Sequence, residues 1–186
     1  MAMPVRSQLL GAFAAVAIAA LAGGAWLVAS PGRIEIAEGS LPLPPEPPRF
    51  AEGPEADRCL GLLRTDPEAA HAFARTWETQ GGAEGAQHCA ALALLAQGGI
   101  ERAAEDLEAL ARRSGAGKAA RAAVFAQAAQ AWLMAAEPAR AFAATTMALT
   151  LTPDDVELLI DRAAALGNMG RFREAVVDLD LSLIHI

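Results

Sequence analysis

At 186 residues the chain can hold one domain, or one domain plus a tail. Alanine dominates, tyrosine is absent, and no segment alternates apolar and polar residues with β-branched or aromatic enrichment, so sheet architectures have no support and the expectation is all-α. The net charge of −7 lies wholly beyond residue 50, because Arg6, Arg33 and Arg49 balance Glu35, Glu38 and Glu46; an acidic body without a Lys/Arg cluster excludes nucleic acid as a partner, since phosphate neutralisation supplies most of that affinity.

The first predicted element is a targeting segment, residues 1–30. Leu9–Ala29 runs for 21 residues without a charge, behind a single Arg6, and stops at Ser30-Pro31-Gly32-Arg33. About 20 apolar residues span a bilayer core, whereas a secretory signal has a shorter apolar stretch and a small-x-small cleavage site, for which Gly23-Gly24-Ala25 qualifies. An uncleaved anchor and a cleaved signal are both open readings. Either one sends the remainder outward, because the positive charge precedes the span; in a bacterial cell that is the periplasm, tethered to the inner membrane or released after cleavage.

Residues 31–54 read as a linker. LPLPPEPPRF carries five prolines, which fix φ and remove donors, so an extended polyproline-like spacer is expected. A leading helical pair, residues 55–82, follows. Its second helix starts at Asp66 as cap and Pro67 as first residue, buries Ala70, Phe73, Ala74 and Trp77 on one face, and ends at Gly81-Gly82.

Three units come next, at 84–117, 122–155 and 156–186, the last incomplete. Counted from Glu84, Ala91 is at position 8, Leu94 at 11, Gly98 at 15, Ala103 at 20, Leu107 at 24 and Leu110 at 27. Counted from Ala122, Phe125, Ala129, Trp132, Ala141, Ala148 and Pro153 fall at 4, 8, 11, 20, 27 and 32. Counted from Val156, Leu159, Ala163, Leu166, Gly170, Ala175, Leu179 and Ser182 fall at 4, 8, 11, 15, 20, 24 and 27. Ala103, Ala141 and Ala175 are therefore 38 and 34 residues apart, with four extra residues assigned to a loop at Ser114–Lys118. This pattern resembles the tetratricopeptide repeat, a 34-residue helix-turn-helix, although Arg162 replaces the usual Leu at position 7 and Leu stands in for aromatic residues. The resemblance implies a right-handed α-solenoid. In it, small residues at 8 and 20 let the paired helices approach and bulk at 4, 11 and 24 surrounds the contact.

The run after Ser182, Leu183-Ile184-His185-Ile186, has no turn and no polar capping helix, and LSLIHI also resembles translated sequencing-adapter read-through. The expectation is that further repeats follow and that the last few residues are not native.

Chemistry is sparse. His71, His88 and His185 make no metal-ligand spacing, and no nucleophile elbow or phosphate loop is present, so neither catalysis, cofactor, metal nor small-molecule substrate is expected. Glu105/Asp106 reads as a solvated face, Asp154/Asp155 as a helix N-terminus, and Asp178 and Asp180 as solvated. Cys59 and Cys89 are the only thiols. If Pro54–Arg64 is the first helix of a leading repeat, it stacks beside the helix carrying Cys89, within reach of a Cys59–Cys89 disulfide in an oxidising compartment; two buried free thiols are the other reading.

Function is then expected from the surface. In the tetratricopeptide family the first helix of each unit lines a groove for an extended peptide or a partner helix, at positions 2, 5, 6, 9, 12 and 13. Carried over, these give Ala126, Gln127, Gln130, Leu133 and Met134 in the second unit and Glu157, Ile160, Asp161, Ala164 and Asn168 in the third. The expectation is a non-catalytic, envelope-tethered adaptor for a protein or peptide. The alternative is the accessory or sensor region of a larger protein whose catalytic domain lies elsewhere.

Overall fold

The computed structural model describes residues 49–184; the segment Leu9–Ala29, the linker up to residue 48, His185 and Ile186 lie outside them. The described residues are all-helical and contain no strand. The helices are α1 (Pro54–Thr65), α2 (Pro67–Trp77), α3 (Ala83–Ala96), α4 (Ile100–Arg113), α5 (Lys118–Met134), α6 (Pro138–Leu151), α7 (Val156–Asn168) and α8 (Phe172–Ile184). Each packs chiefly against its predecessor and its successor, as short connections between antiparallel helices dictate. No described helix is long and apolar enough to cross a membrane.

Local chemistry sets the boundaries. Asp66 accepts a hydrogen bond from the Ala69 N–H at 2.9 Å and Pro67 occupies the first turn of α2, which starts that helix as its sequence predicts. Asp155 caps α7 in the same way through the Leu158 N–H at 3.2 Å. Beyond Trp77 the chain widens into a single π turn, Glu78–Gly82, and Gly81 turns left-handed at φ +93° to release α3.

The ends of α3, α5 and α7 are built alike. Gly98, Ala136 and Gly170 are left-handed, with φ of +88°, +58° and +74°. In each case the next residue's N–H (Gly99, Glu137, Arg171) donates back to a carbonyl five residues earlier (Leu94, Trp132, Leu166), every time at 2.9 Å. This closure satisfies carbonyls that a helix end leaves open and turns the chain onto the following helix. The closures stand 38 and 34 residues apart, the same intervals as the three alanines Ala103, Ala141 and Ala175.

Packing follows the same register. Ala91, Ala129 and Ala163 on α3, α5 and α7 are buried, as are Ala103, Ala141 and Ala175 on α4, α6 and α8; Ala129 shares a core cluster with Ala141, and Ala163 with Ala175. Phe125, Leu107, Leu110 and Val124 fill the largest core cluster. Trp132 is fully buried in a second one, yet its indole N–H donates to a Glu108 carboxylate oxygen at 3.1 Å and the Arg140 guanidinium lies 3.4 Å over its ring.

Three expectations are corrected. The four extra residues before the second unit are not all loop: only 114–117 is non-helical, and Lys118–Arg121 lengthen α5 by a turn. That turn places the Arg121 Nε 2.9 Å from the Ala111 carbonyl, where it caps the end of α4. Asp178 is not solvated but 4% exposed, because Arg162 reaches it from α7 with two parallel N–H···O bonds of 2.8 and 2.6 Å. The departure at Arg162 and the acid at Asp178 are one ion pair spanning the α7/α8 hairpin, its carboxylate buried and its guanidinium half-buried; Asp180 is exposed, as expected. Leu179, assigned to the packing set, stands 43% exposed where its register equivalents Leu107 and Thr145 are fully buried.

The two thiols form a disulfide, Cys59–Cys89, with Cα atoms 6.1 Å apart. It bolts α1 to α3 inside a small cluster with Ala74, Phe73 and Trp77. Its presence is consistent with an oxidising compartment.

Candidate partner-binding face

Helices α3, α5 and α7 are alternate members of the chain, and polar side chains stitch one to the next. His88 on α3 and Gln127 on α5 share a hydrogen bond of 2.6 Å. The Gln130 amide on α5 donates to the Asp161 carboxylate on α7 at 3.3 Å. A line of amide and ionisable groups thus links the three helices.

Burial tunes both ionisable groups. His88 is held below its ordinary 6.5, chiefly because desolvation disfavours the imidazolium, partly offset by the Gln127 bond. The Asp161 carboxyl is raised above its ordinary 3.8, again mainly by desolvation, with Glu157 and Asp155 adding repulsion and the Gln130 bond opposing it. Neither residue joins a metal-binding cluster among the described residues.

The residues expected to line a groove divide into three groups. Gln127, Gln130 and Asp161 are engaged with neighbours along the surface. Met134 at 61% and Ile160 at 44% exposure offer apolar side chains to solvent, beside the exposed Glu157. Leu133 instead packs against the Trp132 cluster, and the Asn168 amide folds back onto the Ala164 carbonyl at 2.8 Å at the end of α7. Leu133 is therefore structural and Asn168 is a helix-end residue.

A cavity of about 390 Å³ is bounded by α1, α3 and α5. Gly85, His88, Cys89 and Leu92 line it from α3, Ala123 and Gln127 from α5, and Ala56, Cys59 and Leu60 from α1. On α3 these are positions 2, 5, 6 and 9 of the first unit, the positions at which a groove is expected in the other two. The same count applied to the first unit picks out His88 from sequence; considered only as a metal ligand, it is missed. Phe50, which precedes the first helix, carries no such periodic signal.

No family model matches the chain, and no curated protein matches it.

Proposed function

We propose that the chain is a non-catalytic protein- or peptide-binding module, built as a right-handed solenoid of tetratricopeptide-like repeats whose α3, α5 and α7 surface receives the partner. The observation that carries this reading is the threefold recurrence of one local geometry: the left-handed closures at Gly98, Ala136 and Gly170, in register with the buried alanines of each hairpin. Repeats that share closure and contact geometry stack by a repeated rotation, and such stacks present their first helices as an extended binding surface. The partner fits a surface of amides, a carboxylate and exposed Met134 and Ile160, without a Lys/Arg clamp for a terminal carboxylate.

In this reading Leu9–Ala29 holds the module on the periplasmic side of a bacterial inner membrane, and the proline-rich linker spaces it from the bilayer. The Cys59–Cys89 bond supports an oxidising location. A photo-crosslinking residue introduced in cells at Met134 or Ile160, and separately at the exposed Ala143 on α6, tests the surface. A defined protein adduct from the first two positions and none from Ala143 is expected. Equal adducts from all three, or none from any, would remove the proposal.

A further inference from the structure

We propose that the cavity between α1, α3 and α5 is a subsite for an aromatic side chain carried on a non-helical peptide, and that the chain's own Arg49–Ala51 segment is its resident ligand. Phe50 lies with its ring centroid 5.1 Å from that of His88, tilted by 54°, and packs half-buried against the main core cluster. Arg49 donates to the Asp57 carboxylate on α1 at 2.9 Å, so the segment is held on both sides of its aromatic residue. Ala51 sits where α3 has a glycine: a Cβ added to Gly85 would come within 2.9 Å of the Ala51 Cβ. The Trp77 ring lies as close to that point, at 2.9 Å, so a side chain at this position of α3 would press on both the segment and the indole.

Three observations set the chemistry of an incoming ligand. The walls contributed by Ala56, Leu60 and Leu92 are apolar, the His88–Gln127 pair supplies one polar edge, and about 390 Å³ remains open beside Phe50. An aromatic ring is the side chain that fills an apolar pocket while meeting an imidazole in the tilted arrangement Phe50 adopts. An external peptide whose ring takes the place of Phe50 against His88 must displace the resident segment, so its apparent affinity is reduced in proportion to the fraction of chains in which the segment has left. Tethering keeps Phe50 at a high effective concentration, on the order of millimolar for a short connection.

This subsite belongs to the peptide-binding surface proposed above. Its test is an NMR titration of the full chain with the end-capped peptide Arg-Phe-Ala-Glu-Gly, following the His88 ring resonances. In Phe50→Ala the peptide is expected to move those resonances back toward their position in the unaltered chain, with half-saturation at a concentration at least fivefold lower than the unaltered chain requires. Phe50→Leu, which keeps the apolar contact and lacks the ring, serves if Phe50→Ala loses helical circular dichroism. Failure of the peptide to move His88 in either variant would overturn the proposal, as would equal action by the same peptide carrying Phe50→Ala. The wider surface fails separately. His88 shifts without crosslinks from Met134 and Ile160 would keep the subsite and remove the adaptor reading, and crosslinks without His88 shifts would do the reverse.

Discussion

Ala136→Gly is expected to stabilise the chain, although glycine ordinarily weakens helical segments. Ala136 closes α5 at φ +58°, where Gly98 and Gly170 close α3 and α7. An L-residue in that left-handed region costs roughly 1–2 kcal/mol through its Cβ. Glycine removes this and returns about 0.5–1 kcal/mol through the larger freedom of its unfolded state. The net gain is about 0.5–1 kcal/mol, and because Ala136 is exposed no buried apolar surface is lost with its methyl group. The reverse changes, Gly98→Ala and Gly170→Ala, should each cost a similar amount. No atom lies within 4 Å of a Cβ built at either glycine, so the cost there is purely backbone. Urea unfolding followed by circular dichroism reads the effect as a midpoint about 0.3–0.5 M higher for Ala136→Gly, with an unchanged slope, for slopes of roughly 2 kcal/mol/M. A lower midpoint for Ala136→Gly would mean that Ala136 is not left-handed, and the equivalence of the three closures would go with it.

Reducing Cys59–Cys89, or replacing both cysteines with serine, removes a cross-link between residues 30 apart and should cost about 3.5 kcal/mol, seen as a lower melting temperature and early hydrogen exchange in α1; equal melting with and without reductant would refute this. Asp178→Ala leaves the half-buried Arg162 guanidinium unpaired and should cost about 2–3 kcal/mol, below the range for a fully buried pair because Arg162 keeps 23% of its side chain in solvent. The double change Arg162→Leu with Asp178→Ala should lie within about 1 kcal/mol of the unaltered chain, since apolar replacement of both partners removes the desolvation cost as well; a double-mutant cycle in which the two losses simply add would contradict the pairing. His88, depressed below 6.5 by burial, binds a proton in the unfolded chain before it does in the folded one, so its contribution lowers stability as pH falls through 6.5. His88→Gln should flatten the melting temperature between neutral pH and mildly acidic pH, and an unchanged slope in that window would remove the assignment. Asp161, shifted the other way, adds stability as pH falls through its raised folded value; because it is unchanged in His88→Gln, the comparison of the two chains isolates the His88 contribution.

Fold class, helix order and the register of the small residues were legible in the sequence because they arise from local causes. Asp66-Pro67 starts a helix wherever it occurs, glycines at Gly98 and Gly170 end one, and alanines at fixed spacing fall on one face whatever lies opposite. The Cys59–Cys89 pairing could be anticipated because stacking converts the repeat register into a distance between neighbouring first helices. Other features required tertiary structure. Asp178 looks like any solvated acid in a run of alternating Asp and Leu, and only the antiparallel return of α8 on α7 brings it to Arg162. The four extra residues looked like loop, yet Arg121 gains a partner at the end of α4 by extending α5. Leu133 and Met134 are adjacent in the expected groove register, but one packs partly buried against the Trp132 cluster and the other stands in solvent. Phe50 lies outside every helix and every repeat, so no periodicity marks it; its place against His88 depends on a surface assembled from α1, α3 and α5. Spacing within one segment indicates the face a helix buries, as the alanines of α3 to α7 show, but on α8 it did not, since Asp178 is buried and Leu179 exposed. Which polar group meets which depends on how separate segments approach, and only the packed chain decides it.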